Sequence, residues 1–160
     1  YAASLFASQK AQAMGYTQVL WLDAVEMKNV EEVGTSNIFF QIGDTLVTPN
    51  LTGTILPGVT RDSVITLAKH WGIPVEERPL SIDEILEANE KGRLKDAFAS
   101  GTAAIVSPVG HLYYKGKEYL INGGQTGDLT RRLYDEILQI QYGEKADPFG
   151  WRMKIGSMAG

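Results

Sequence analysis

The chain has 160 residues, 44% of them apolar and 21% charged, with a net charge of −4 at pH 7. That length supports one domain with its own core, and the acidic balance gives a nucleic-acid role no electrostatic support. The lack of cysteine excludes a disulfide scaffold and thiolate metal sites and accords with a reducing compartment; two histidines, His70 and His111, are too few for a His-based metal site.

No apolar run approaches the ~20 residues that a membrane-spanning helix needs. The start has no basic segment followed by an apolar one, so a signal peptide is not expected. The sequence opens on Tyr1 rather than Met and runs straight into helix formers. A piece of a longer protein is the expectation, with N-terminal processing as the alternative.

In chain order, the Ala-rich stretch from Ala2 to Met14 reads as a helix stopped by Gly15. Gln18 to Leu22 reads as a buried strand. Asn37 to Ile42 and Thr45 to Thr48 flank Gly43-Asp44, and Gly at the first central position predicts a type II′ hairpin turn. Pro57-Gly58 breaks the chain before a helix from about Arg61 to Trp71, ended by Gly72 and Pro74. Val75 to Leu80 reads as a short strand.

Ser81-Ile82-Asp83-Glu84 has the form of a capping box, in which Ser and Glu each take one free amide, and the helix it opens ends near Gly92. Ala97 to Ala99 and Ala103 to Val109 are strand-like, split by Ser100-Gly101-Thr102. His111 to Tyr114 and Lys117 to Ile121 form a second hairpin around Lys115-Gly116. The last helix carries Leu129, Leu133, Ile137 and Ile140 on one face and stops at Gly143. Mixed strands and helices without strict alternation predict one α+β domain, with Met153 to Gly160 as a tail.

Three loops hold residues suited to chemistry. The first is Glu31 to Asn37. Two carboxylates beside Gly34 are by default a solvated turn; the functional alternative is a carboxylate that holds a protonated ring nitrogen. The second is Leu56-Pro57-Gly58-Val59-Thr60-Arg61, by default an ordinary capped helix start with Thr60 as the cap and Arg61 exposed. Its functional alternative is an anion site on free helix amides, which Gly58 lets a ligand approach. The third, Ser100 to Ala104, is by default a tight turn, and alternatively a source of exposed amides and one hydroxyl. His70 and His111 receive no catalytic role. Tyr113, Tyr114 and Tyr119 read as cross-strand contacts, Trp21 and Trp71 as core, and Trp151 as surface or interface.

Taken together and in order, these segments resemble the branched-chain amino acid aminotransferases, fold type IV enzymes that use pyridoxal 5′-phosphate (PLP). The stretches Gln18–Asp23, Val30–Phe40, Leu46–Asp62, Phe98–Val109 and Ile140–Trp151 carry the likeness. Glu31-Glu32-Val33-Gly34-Thr35 and Leu56-Pro57-Gly58-Val59-Thr60-Arg61-Asp62 are its most diagnostic parts. Ile140-Gln141-Tyr142-Gly143 favours this family over the D-amino acid aminotransferases and aminodeoxychorismate lyases, which remain alternatives, as does a non-catalytic folded fragment.

The resemblance implies a fold type IV C-terminal domain over residues 1–152, a mixed sheet or pseudo-barrel with flanking helices. It implies that Tyr1 bonds the cofactor's phenolic oxygen, Glu32 pairs with the pyridine nitrogen and Leu56 packs on the ring. Val59 and Thr60 would bind the phosphate, Thr102 the phosphate and, with Ala103, the substrate carboxylate, and Thr35 would line the substrate side. The implied enzyme is a cytoplasmic homodimer that moves the amino group of leucine, isoleucine or valine to 2-oxoglutarate. The family's Lys-x-Gly-Gly-Asn-Tyr-Ala motif, whose Lys forms the Schiff base, is matched only at its end by Tyr1-Ala2. The expectation is therefore that the chain alone is inactive. The family's small N-terminal domain, with its phosphate-binding Arg, is not matched either. A Cys-x-x-Cys redox pair of some members falls here on Ala104 and Ser107.

Overall fold

The computed structural model describes residues 2–155, with side chains from residue 4 onward. Tyr1 and most of the expected tail lie outside the described residues, and no helix or strand covers 153–155. The elements are α1 (Ala2–Ala13), β1 (Leu20–Leu22), β2 (Val30–Val33), β3 (Ser36–Ile42), β4 (Thr45–Thr48), α2 (Val59–His70) and β5 (Val75–Glu77), followed by α3 (Ile82–Glu90), β6 (Leu94–Gly101), β7 (Ile105–Pro108), β8 (His111–Tyr114), β9 (Lys117–Leu120) and α4 (Asp128–Tyr142). Among the described residues no helix is long and apolar enough to cross a membrane.

The apolar run Ile38-Phe39-Phe40 explains the architecture. A stretch of strand that is apolar at consecutive positions must be covered on both faces. β3 carries this stretch at its centre, and all three residues are at most 1% exposed. It is the hub of a seven-stranded sheet. Its first residues pair with β2 and its last with β4 on one side, while β6 runs along the other side and continues to β7. Phe39 stacks on Phe98 of β6 at 5.2 Å between ring centres, and this face packs on Val64 and Leu67 of α2 and Leu133, Ile137 and Ile140 of α4. Ile38 and Phe40 point the other way, into a core with Ile85 of α3, Leu112 of β8 and Ile121.

The expected helices and both hairpins are present. Gly43 takes φ +61 in the first hairpin turn, and Gly143 closes α4 at φ +79. Four local readings change. Glu31 and Glu32 lie on a strand, β2, not in a loop, because pairing with β1 and β3 outweighs their weak strand preference. β6 extends through Ser100 and Gly101, so the turn is Thr102-Ala103-Ala104 and β7 begins at Ile105. β4 and β5 pair in parallel across α2, a single βαβ unit in an otherwise antiparallel sheet. The capping box is half made: Ser81 Oγ accepts from Glu84 N at 3.2 Å, but the Glu84 carboxylate is held by Arg78 at 2.6 and 3.0 Å. Trp21 and Trp71 are partly buried rather than core, and Trp151 stacks on Phe149 at 4.5 Å.

Two carboxylates fix the frame. Asp23 accepts from the amides of Glu26, Lys28 and Asn29, at 2.6 to 2.9 Å, and so shapes the loop that leads into β2. Those donors lower its pKa from 3.8 to about 2. Asp96 is buried and accepts from Thr130 N at 2.9 Å and Thr130 Oγ1 at 2.8 Å, closing the start of α4 from the sheet. A Cβ on Gly127 would lie 2.1 Å from this carboxyl, so only glycine admits it there.

Candidate functional site

The β-sheet register gathers the three loops at one end. In β2–β3 pairing Glu32 lies opposite Asn37, and in β3–β6 pairing Asn37 lies opposite Ser100. Directly opposed residues in an antiparallel pair share a face. Glu32, Asn37 and Ser100 therefore stand side by side on the face that α2 covers. The turns beyond them, Gly34-Thr35 and Thr102-Ala103-Ala104, leave the sheet at this same end, and a Cβ on Gly101 would lie 2.8 Å from Ser36 Oγ.

The Leu56 loop is tied to this row. Leu56 N donates to Glu32 Oε1 at 2.9 Å, and Asn37 Nδ2 donates to Leu56 O at 2.8 Å. Gly58 N turns back to the same carbonyl at 2.8 Å. Thr54 Oγ1 donates to Glu31 Oε1 at 2.6 Å, which ties the approach to the loop as well. These bonds leave the Leu56 side chain 67% exposed and Val59 85% exposed, although both are apolar. Apolar side chains held out by backbone bonds offer a contact surface to something else.

Helix α2 starts at Val59, not Arg61, with Gly58 as the N-cap residue and no side-chain cap. The expected cap at Thr60 is thus corrected: Thr60 is the second helical residue. An uncapped start leaves amide donors open to an anion. Arg61 is corrected too. It is 4% exposed, with Nη2 donating to Pro49 O at 3.0 Å and to Glu77 Oε2 at 2.9 Å. It clamps the ends of β4 and β5 instead of standing exposed. Its Nε and the Ser100 hydroxyl are buried without a hydrogen-bond partner.

Glu32 and Thr35 share a cleft of about 340 Å³ with Ser4, Ser8, Gln18 and Trp21, between α1 and the β2–β3 turn. Trp21 Nε1 donates to Gly34 O at 2.9 Å and so braces that turn. A larger cleft of about 820 Å³ lies on the opposite face and is lined by none of the residues to which the resemblance gives a cofactor or substrate role. It opens between α1 and two edge strands of the sheet, with Leu20 and Leu22 of β1 on one side and Ser107 and Pro108 of β7 on the other. Sequence reasoning missed Asn37. The available signal was a polar residue of low strand preference directly before the buried run Ile38-Phe39-Phe40.

A family model, amino-transferase class IV, matches residues 1–112. The chain belongs to the class IV aminotransferases. It is 51% identical over 158 residues to branched-chain-amino-acid aminotransferase 2 of Bacillus subtilis (strain 168), covering 99% of this chain and 44% of that protein. It is 53% identical over 155 residues to a probable branched-chain-amino-acid aminotransferase of Staphylococcus aureus (strain N315), covering 97% and 43%. The chain thus spans less than half the length of these relatives.

Among solved structures, the branched-chain amino acid aminotransferase from Escherichia coli superposes with a TM-score of 0.78 at 32% identity, over 94% of this chain and 47% of that one. A second branched-chain amino acid aminotransferase, complexed with N-(5′-phosphopyridoxyl)-L-glutamate, gives 0.79 at 30% identity, over 94% and 46%. The fold is therefore that of the branched-chain aminotransferases, the fold type IV arrangement expected from the sequence.

Proposed function

We propose that this chain is the cofactor-holding C-terminal part of a PLP-dependent branched-chain amino acid aminotransferase, with residues 1–152 as the domain and 153–160 as a tail. The carrying observation is the convergence of Glu32, the Leu56 loop and the open start of α2 at one end of the sheet. Relatives named for this activity, at about half identity, support the same reading.

The residues present fit the cofactor's chemistry. PLP carries a phosphate dianion, an apolar ring face and a ring nitrogen that is cationic when protonated. The uncapped α2 start suits the first, with Val59 and Thr60 supplying amides. The exposed Leu56 suits the second. The Glu32 carboxylate suits the third, with Oε1 on Leu56 N. The turn hydroxyl and amides of Thr102 and Ala103 complete the cradle, toward the phosphate and the substrate carboxylate. Thr35 lines the substrate side; the bond to the phenolic oxygen falls by the resemblance to Tyr1, which lies outside the described residues.

When bound, PLP supplies an electron sink for the substrate's α-carbon. Glu32 keeps the ring nitrogen protonated by opposing its charge. Leu56 excludes water from one ring face. The α2 amides hold the phosphate so that the ring cannot slide, which is the positional part of catalysis.

The whole enzyme then moves the amino group of leucine, isoleucine or valine to 2-oxoglutarate, as a cytoplasmic homodimer. None of the nine lysines, Lys10, Lys28, Lys69, Lys91, Lys95, Lys115, Lys117, Lys145 and Lys154, stands in the lysine motif, so the chain alone does not transaminate. A substrate panel on the full-length parent tests this. Turnover of the three branched amino acids with 2-oxoglutarate is the expected result; strong D-alanine turnover without leucine turnover overturns it.

A further inference from the structure

We propose that Asn37 is a positioning residue that sets both ends of the cofactor cradle at once; this rests on the cofactor reading above. Asn37 is 5% exposed and stands between Glu32 and Ser100 in the register. Its Nδ2 donates to Leu56 O at 2.8 Å, while Glu32 Oε1 accepts from Leu56 N at 2.9 Å. The two polar groups of Leu56 are thus held by two neighbours in one row. The other end of the amide meets Gly58, where an added Cβ would lie 2.3 Å from Asn37 Oδ1. Gly58 is the N-cap of α2 at φ −68 and ψ 138, a conformation open to any residue. Glycine is needed there for space, not for backbone freedom.

One side chain therefore fixes the ring-facing Leu56 through its nitrogen and the phosphate-facing helix start through its oxygen. Aspartate cannot replace it. A carboxylate has no hydrogen for Leu56 O, and it would add a second negative charge beside Glu32. Asn37 touches neither ring nor phosphate and acts through the loop.

The test uses the full-length parent stripped of cofactor. Dissociation constants are measured for PLP and for pyridoxal, which lacks the phosphate, in N37A, N37D, G58A and the N37A/G58A double variant. Melting of each apo-protein is followed in parallel. PLP binding is expected to weaken about tenfold in N37A and N37D, the scale of one lost buried hydrogen bond, with a smaller loss for pyridoxal. G58A is expected to lose a similar factor without a backbone penalty. The double variant is expected to be no worse than the worse single one, because the new Cβ enters space that the amide has left.

PLP affinity within twofold of the parent in both Asn37 variants overturns the proposal. Equal losses for PLP and pyridoxal overturn the claim on the phosphate end. Single losses that multiply in the double variant overturn the contact. If N37D fails to fold, G58A and the double variant still decide. An unmutated parent that binds no PLP overturns the cofactor reading itself, and that result needs no variant.

Discussion

In the proposed reading Glu32 has two jobs that can be separated. Its Oε1 accepts from Leu56 N, and its carboxylate charge would oppose a ring cation. Glutamine keeps the acceptor and loses the charge, whereas alanine loses both. In the parent, Glu32→Gln should lower kcat about 10²- to 10³-fold, the scale of one pre-positioned electrostatic partner, with little change in melting temperature. Glu32→Ala should lower kcat at least as far and also loosen the Leu56 loop. Steady-state kinetics beside thermal melts check this; unchanged kcat in both would make Glu32 a structural turn residue. Asp23 gives a pH prediction of another kind. Its folded pKa of about 2 lies below the ordinary 3.8, so its contribution is present above pH 3.8 and lost as pH falls towards 2. Asp23→Ala should melt lower than the parent at neutral pH, and the gap should close in acid. At this scale the sequence singled out Glu32 and the apolar Leu56, which the structure joins through the Leu56 N to Glu32 Oε1 bond. The sequence was not legible for Asn37 or Arg61, whose partners lie on other strands and are set by register alone.

At the scale of elements, α4 shows how a sheet residue fixes a helix. Asp96 on β6 accepts from Thr130 N and Oγ1, and Gly127 leaves room for it. Asp96→Ala should destabilise the protein by about 1–3 kcal/mol, the cost of a lost cap and unsatisfied buried donors; denaturant melts of the parent measure it. Burial raises the pKa of this carboxyl above 3.8, against the opposing pull of its hydrogen bonds. The folded state thus favours the protonated form, and the Asp96 contribution weakens as pH rises from 3.8 through the raised value. Asp96→Asn should remove that dependence and cost less than alanine. Helix faces and hairpin turns were readable because their signals are local: Gly43-Asp44, Lys115-Gly116 and the Leu129, Leu133, Ile137, Ile140 stripe. β2 and the full length of β6 were not, because Glu31-Glu32 and Leu94-Lys95-Asp96 become strand only through their neighbours. The early start of α2 was hidden for the opposite reason. The sequence offered Thr60 as a good cap, and the loop's bonds to Glu32 and Asn37 placed the cap at Gly58 instead.

For the whole molecule, the sheet and its two cores form one unit, yet the structure carries surface that a lone domain of this size does not need. Leu5 is 60% exposed and Phe6 78%, both on α1, none of whose described side chains joins either core cluster. Two of the edge strands, β1 and β7, border the same cleft of about 820 Å³. Exposed apolar side chains of this kind offer a contact surface, and the chain spans less than half the length of the relatives it matches. In the proposed reading the loops of this chain hold the cofactor, while none of its nine lysines stands in the lysine motif. The two properties separate in one measurement: intact mass after incubation with PLP and borohydride, which fixes any imine. The chain of 160 residues should keep its 17.6 kDa mass without a stoichiometric adduct. The full-length parent should gain one adduct, on a lysine other than the nine of this chain. A single adduct on one of those nine would move the reacting lysine into this domain and overturn the division of labour proposed above, while scattered partial adducts at exposed lysines would leave it standing.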